Sequence, residues 1–297
     1  MNDTVVIRSD ALTAAIDPMG AELVSLKDSA GREYMTDADP RWWTGHAPIL
    51  FPIVGALNNG TYRLDSAEYA LAKHGFARTS RFGIETSDAA RVQFRLRDSE
   101  ATRVHYPFAF TLDIDFALEG AALRITATVT NRDQQAMLFS FGFHPAFAWP
   151  LPGNAAKHAH RVVFAKDEPA PIRRIDTKTL CLRTEPQRSP VEGKVLSPKA
   201  ELFEADALIW DRLESRSLTF GAPGGAALKL DFPDCPNLGI WQKPGAPFLA
   251  LEPWHGYNDP QGFEGDFRGK PGVLSLPPGD SHEFRLSIEV SPPENPQ

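Results

Sequence analysis

Cysteine is nearly absent from this chain of 297 residues, which has only Cys181 and Cys235. Two thiols exclude a disulfide framework and leave a cysteine-based metal site short of ligands, so a reducing compartment is expected. Long apolar runs are missing too: none approaches the ~20 residues that a membrane span requires. Residues 1–7 lack the basic region and following apolar run of a secretory signal. A soluble, cytoplasmic protein with no membrane partner is the expectation. There is no basic excess either, since 31 Lys and Arg face 38 Asp and Glu for a net charge of −7. The acidic residues are scattered as a solubilising surface, and no nucleic-acid footprint emerges. Finally, no stretch of about 12 residues keeps an apolar face at helical spacing. A serine nucleophile elbow, a glycine-rich phosphate loop and a dinucleotide fingerprint are all lacking.

What the chain does have is period-two alternation. Arg91-Val92-Gln93-Phe94-Arg95-Leu96-Arg97 alternates cleanly. So do residues 110–118, 123–129 and 284–290. The link Glu119-Gly120-Ala121 is short and contains glycine, which predicts an antiparallel hairpin. Strands that bury one face and wet the other pack as antiparallel sheets face to face. With 26 prolines and 22 glycines as punctuation, the expected fold is all-β: one large sandwich over residues 1–297 with few short helices. Helical turns are expected near residues 40–43 and 262–267. Proline-bearing irregular stretches are expected at 150–159 and 186–199, and a short tail at 292–297.

Three polar residues stand in settings that ask for an explanation. His144 lies in Phe141-Gly142-Phe143-His144-Pro145-Ala146-Phe147, otherwise apolar and aromatic. His74 lies in Lys73-His74-Gly75-Phe76-Ala77-Arg78, where Gly75 permits a turn or a close approach. Glu252 closes the apolar run Phe248-Leu249-Ala250-Leu251 ahead of Pro253 and Trp254. A carboxylate buried there is costly unless paired, and burial raises its pKa toward the range of proton exchange near neutrality. Each has a plain structural alternative: a core histidine, a loop ion pair, a glutamate on an arginine. Asp206 heads the run Ala207-Leu208-Ile209-Trp210 and Asp211 follows it, so either is a candidate to face a cleft. His158-Ala159-His160 has a His-x-His form without a carboxylate at ligand spacing, and no metal is expected there. His255 follows Trp254 and is placed with the same pocket. Trp42, Trp43, Trp241 and Trp254 lie close in sequence to these groups. Flat rings beside carboxylate, arginine and imidazole suit a sugar, although core packing also uses tryptophan.

Taken together, His74-Gly75-Phe76-Ala77-Arg78, then Asn131 with Gly142-Phe143-His144-Pro145-Ala146-Phe147, then Leu251-Glu252-Pro253-Trp254 resemble the aldose 1-epimerase (galactose mutarotase-like) family. Ala47-Pro48-Ile49-Leu50-Phe51-Pro52-Ile53-Val54-Gly55 is similar to its bacterial branch of mutarotase-related proteins. The resemblance covers nearly the whole chain in order and implies an antiparallel β-supersandwich, a small-molecule aldose as partner and no cofactor. By the same resemblance His144 is the general acid at the ring oxygen and Glu252 the general base at the anomeric hydroxyl. His74 is the second histidine near the ring oxygen, and Arg78 and Asp206 hold sugar hydroxyls. The phosphosugar-specific branch is similar around His74 to Arg78 but carries Arg where this chain has Thr44. Arg41 and Lys73 are the cations nearest in sequence that would compensate. Two other readings are a non-catalytic sugar-binding module on the same fold, and a metal enzyme ligated by His74, His144 and Glu252.

Overall fold

The computed structural model describes residues 4–293; the last four residues of the expected 292–297 tail lie outside them. Every pair of neighbouring strands is antiparallel, and two large sheets dominate. The first has nine strands in the order Val195–Leu196, Arg161–Phe164, Ser217–Gly221, Ala227–Asp231, Ser281–Ser291, Ala122–Asn131, Phe110–Glu119, Arg91–Arg97 and Gly83–Ser87. Its centre is the set of strands with the cleanest alternation in the sequence. Phe110–Glu119 and Ala122–Asn131 pair throughout their length across the two-residue turn Gly120-Ala121, with Leu123 opposite Leu118. Gly120 supplies the positive φ of that turn, a backbone state that costs glycine nothing.

The second sheet consists of Leu208–Trp210, Asn237–Trp241, Phe248–His255, Phe141–Phe143 and Ile49–Leu50, with Ala146–Ala148 also paired to Phe248–His255. It lies on the buried face of the first: Phe284 stacks on Phe141 at 4.6 Å, and Phe164 packs on Trp210 at 5.7 Å. One apolar core runs from Ile7 to Val290 and takes side chains from both sheets. The second sheet is covered on its other face as well, by Leu50, Val54, Ile175, Leu182, Ala207, Ile209 and Trp254 on one side and by Trp42, Trp43 and Trp241 over Ala146 and Ala250 on the other. Burial on both faces is why residues 248–251 read as an unbroken apolar run rather than an alternation.

Three further antiparallel groups complete the supersandwich: Val5–Arg8, Leu12–Asp17 and Glu22–Asp28; Thr61–Leu64 with Ala67–Ala70; and Met137–Phe139 with Leu274–Leu276. Among the described residues helix is confined to Glu100–Arg103 and short 3-10 turns. The turn at residues 40–42 is present, with Trp42 and Trp43 donating to the Asp39 carbonyl. The one expected near 262–267 forms later, at Phe267–Gly269, where Asp266 caps it by accepting from the Arg268 amide. The stretch 150–159 contains only the 3-10 turn Lys157–Ala159, and 186–199 only the strand Val195–Leu196. No helix among the described residues is long and apolar enough to cross a membrane.

Two glycines are dictated by one ring. A Cβ on Gly142 would come 2.5 Å from Trp254 Cδ1, and one on Gly239 would come 2.5 Å from Trp254 Cη2. The indole therefore lies across two neighbouring strands where only hydrogen side chains leave room. Gly239→Ala is expected to destabilise the fold by about 1–3 kcal/mol, the usual cost of overpacking a filled core. Urea unfolding would show a lower midpoint at unchanged slope, and an unaltered midpoint would contradict this packing.

Candidate active site

His144 and Glu252 are brought together by strand register. Gly142 lies opposite Trp254, and Ala146 lies opposite Ala250. Two residues in from each pair, His144 falls opposite Glu252, and directly opposed residues of an antiparallel pair project from the same face. Their side chains meet at 3.0 Å, Nε2 to Oε2. Both are buried. Glu252 is not at a strand end, as the proline after it suggests; the strand continues through Pro253 and Trp254 to His255. The Leu251 amide donates to the Pro145 carbonyl, so the N–H that Pro253 lacks would point to the same neighbour, beside the break in that strand at His144 and Pro145. A proline is tolerated in this central strand because no ladder bond is required of it there.

His74 arrives from the opposite wall. Its φ of 69° is left-handed, as is the 71° of Gly75. A Cβ on Gly75 would lie 2.2 Å from the Phe51 carbonyl oxygen. Reciprocal bonds hold the histidine in this strained state: its amide donates to the Gly55 carbonyl (2.8 Å), and the Gly55 amide donates to Nδ1 (3.1 Å). With Nδ1 an acceptor, the neutral ring carries its proton on Nε2. The ring stands edge-on to His144, with 5.7 Å between centroids and planes at 84°.

These groups line a cavity of ≈ 130 Å³ together with Trp43, Trp241, Trp254, Lys73, Arg78 and Asp206. Sequence reasoning named every one of them. Asp206 takes the place in the cavity that it shared as a candidate with Asp211: its φ is 67°, its carboxylate accepts from the Ala207 amide at 2.7 Å, and Asp211 instead lies 3.9 Å from Arg173 Nε. His255 is not a wall, since it alternates to the opposite face from Trp254 and packs on His282 and Phe284. Arg41 does not compensate for Thr44; it is exposed and paired with Asp39. His160 is structural, accepting from the Leu151 amide at Nε2. The walls missed were Ile175, Ala207 and Asn258. Ile175 and Asn258 sit in irregular segments with no motif, and the only trace of Asn258 is Gly55, whose missing Cβ leaves room for its amide. A separate cavity of ≈ 170 Å³ beside Tyr62 and Phe267 has a buried Lys270–Asp259 ion pair but no imidazole. Among the described residues no three His, Cys, Asp or Glu side chains are arranged to hold a metal ion.

Electrostatics in the cavity follow from burial. Burial lowers the His144 pKa to about 3, with Lys73 and Arg78 adding to the effect. It also lowers His74 well below the ordinary imidazole value, and raises Glu252 well above the ordinary carboxyl value. Both members of the 3.0 Å pair are thus driven toward their neutral forms, a neutral imidazole facing a carboxylic acid. The exposed Lys73 and half-buried Arg78 have no ion-pair partner among the described residues. A buried acid–base pair against aromatic rings, with polar groups converging on one small cavity, is an arrangement that can bind a polar organic molecule and exchange a proton with it.

The chain belongs to the aldose 1-epimerase family, whose sequence model matches residues 3–288. It is 32% identical over 296 residues to the plasmid-encoded LacX protein of Lactococcus lactis subsp. lactis, covering 97% of this chain and 99% of LacX. Among solved structures it superposes with a TM-score of 0.90 on a galactose mutarotase-like protein from Lactobacillus casei ATCC 334, at 31% identity over 97% of this chain and 100% of that one. A galactose mutarotase related enzyme from Lactobacillus acidophilus matches with a TM-score of 0.89 at 29% identity, covering 99% of each chain.

The buried carboxyl makes a pH prediction. Unfolded Glu252 ionises near 4.5, whereas the folded chain resists ionisation, so the native fold loses stability as pH rises from 4.5 toward the raised folded value. For His144 the sign is opposite: unfolded imidazole gains a proton below 6.5 and the folded one only near 3, so stability falls as pH drops through that window. Glu252→Gln removes the first loss. It is expected to melt higher than the native chain at pH 8, with the gap shrinking toward pH 4.5; a gap independent of pH would count against a raised carboxyl.

Proposed function

We propose that this chain is a mutarotase that interconverts the α and β anomers of an aldose by acid–base ring opening and reclosure. The 3.0 Å contact of His144 Nε2 with Glu252 Oε2, at the floor of an aromatic-walled cavity, carries this reading. Glu252 as carboxylate removes the proton of the anomeric hydroxyl while the C1–O5 bond breaks and a carbonyl forms at C1. His144 as imidazolium gives its proton to O5. Rotation about C1–C2 presents the other carbonyl face, O5 adds back, and the two residues exchange roles as they recover their starting protons. The imidazolium–carboxylate form that starts ring opening and the neutral form favoured by burial contain the same number of protons. They differ by one transfer within the pair, so no exchange with solvent is needed between opening and closure. His74, with its proton fixed on Nε2, donates toward the ring oxygen, and Arg78 and Asp206 hold hydroxyls.

A second reading concerns the charge of the sugar. Lys73 and Arg78 line the cavity without an ion-pair partner among the described residues, in a chain of net charge −7. Two uncommitted cations beside a neutral-sugar site favour an anionic sugar such as a hexose 6-phosphate.

Polarimetry or exchange NMR on freshly dissolved α-glucose, α-galactose and their 6-phosphates tests both readings. His144→Ala and Glu252→Gln are each expected to slow interconversion by at least ~10²-fold, the usual loss for a general acid or base. Near-native rates in either variant would remove that residue from the mechanism. If sugars bind but none equilibrates faster than in buffer, the chain is a carbohydrate-binding protein. Lys73→Ala is expected to raise KM for a 6-phosphate roughly fivefold, as loss of an exposed ion pair worth about 1 kcal/mol implies. Equal effects on phosphorylated and neutral sugars would sink the anionic reading.

A further inference from the structure

His144 has an unusual lack. An imidazole that moves protons is ordinarily oriented by a hydrogen bond at its second nitrogen, which fixes both tautomer and ring plane. His74 has such a bond from Gly55. The Nδ1 of His144 is buried and finds no partner in another residue; its polar contact is with its own backbone. A contact within its own residue and one at Nε2 tie the ring to no second element at Nδ1, so packing has to help set its plane.

A neighbouring ring is placed to do so. Trp43 lies face-on to His144, with 4.9 Å between centroids and planes at 25°. Among the described residues no other ring stacks on it; His74 and Trp241 meet it edge-on, at 84° and 80°. Trp43 is itself fixed. Its indole meets Trp241 edge-on at 5.6 Å and Phe248 at 5.8 Å, and a Cβ on Gly45 would come 2.5 Å from its ring. The loop that carries it is tied at both ends to Ala146, two residues beyond His144: Thr36 N donates to the Ala146 carbonyl, and Ala146 N donates to the His46 carbonyl. The His46 and Ala47 amides are held in turn by the Glu22 carboxylate at 2.6 and 2.9 Å. Indole and imidazole are thus referenced to the same strand.

We propose that Trp43 is the positioning residue of His144: stacking, in place of a second hydrogen bond from another residue, fixes the imidazole plane so that Nε2 points at Glu252. This rests on the proton-transfer reading of the pair, but its structural content stands apart from turnover. Stacking uses the indole face on the His144 side, so on that side Trp43 offers no free platform for a sugar. It also keeps water off the imidazole. The other charged or titratable groups around His144 are Glu252 on the facing strand, Lys73, His74 and Arg78 on the opposite wall, and Asp206; all are retained in a variant changed only at Trp43.

The test compares Trp43→Phe, which retains a stacking ring, with Trp43→Leu and Trp43→Ala, which do not. Long-range 1H–15N NMR of the histidine rings in the full chain reads tautomer and titration directly. In the native chain and in Trp43→Phe, His144 should show two well-separated nitrogen shifts and no titration down to about pH 5. In Trp43→Ala the two shifts should converge as the ring reorients, and titration should move up toward the ordinary range. With a turned-over sugar, kcat should fall at least ~10-fold in Trp43→Ala with KM within about threefold, and Trp43→Phe should restore most of it. Unchanged His144 shifts in a folded Trp43→Ala or Trp43→Leu variant would overturn the proposal. So would a rise in KM at native kcat, the signature of a sugar platform. If no sugar turns over, the mutarotase reading fails by itself and the NMR comparison still decides the role of Trp43.

Discussion

The structure depends on one alignment, in which two strands of the second sheet keep a common register across a break. Phe141–Phe143 and Ala146–Ala148 both pair with Phe248–His255 without a net slip. A slip of one residue would send either His144 or Glu252 into the apolar core among Phe143, Leu249 and Leu251. Much of the surrounding sequence defends that alignment. Gly142 and Gly239 admit the Trp254 ring, Pro145 and Pro253 remove ladder donors where the pairing is broken, and Trp210 and Phe141 lock the far face onto the first sheet. The rigid partner supplies accuracy. The nine-stranded sheet carries no site residue except by holding the second sheet still.

That accuracy is directed against charge. Burying a carboxyl and an imidazole side by side gives neither an aqueous counterion nor a full shell of hydrogen bonds, so each is pressed toward neutrality. A lone buried Glu in such a place would be a liability. Opposite an imidazole at 3.0 Å it becomes half of a pair that can share a proton with little change in net charge. Lys73 and Arg78 add a positive field at the same cavity that resists protonation of both histidines.

Much of this was legible in the sequence, and the limits have physical causes. Alternation is a direct record of one wet face, so residues 91–97, 110–118, 123–129 and 284–290 could be read at once. The second sheet is dry on both faces and leaves no alternation, so its strands were seen only as apolar runs and Phe248–His255 was cut short at Pro253. That proline carries the ordinary meaning of a strand end except beside a gap in the ladder, and a gap is a property of the partner strand. The sheet of Val5–Arg8, Leu12–Asp17 and Glu22–Asp28 went unread because small alanines blur its pattern and a bulge at Ala15 and Ile16 shifts its phase. Polar site residues stood out because a buried charge is rare. Ile175 and Asn258 did not, because nothing local separates a cavity wall from any other loop residue. Asp206 could be told from Asp211 only by its left-handed backbone, which turns it inward.

The tight seat of Trp254 also bears on how the cavity can change over evolution or in the laboratory. Its floor is a sheet face on which glycine is already the smallest residue available and any larger one collides, so the floor can be neither lowered nor raised. Room for a different ligand has to come from walls such as Ile175, Asp206 and Ala207, which are carried on connections outside the paired strands. The His144–Glu252 pair and this outer wall are therefore separable parts: one is anchored in a register that tolerates no drift, the other is carried on connections whose residues can be traded without shifting that register.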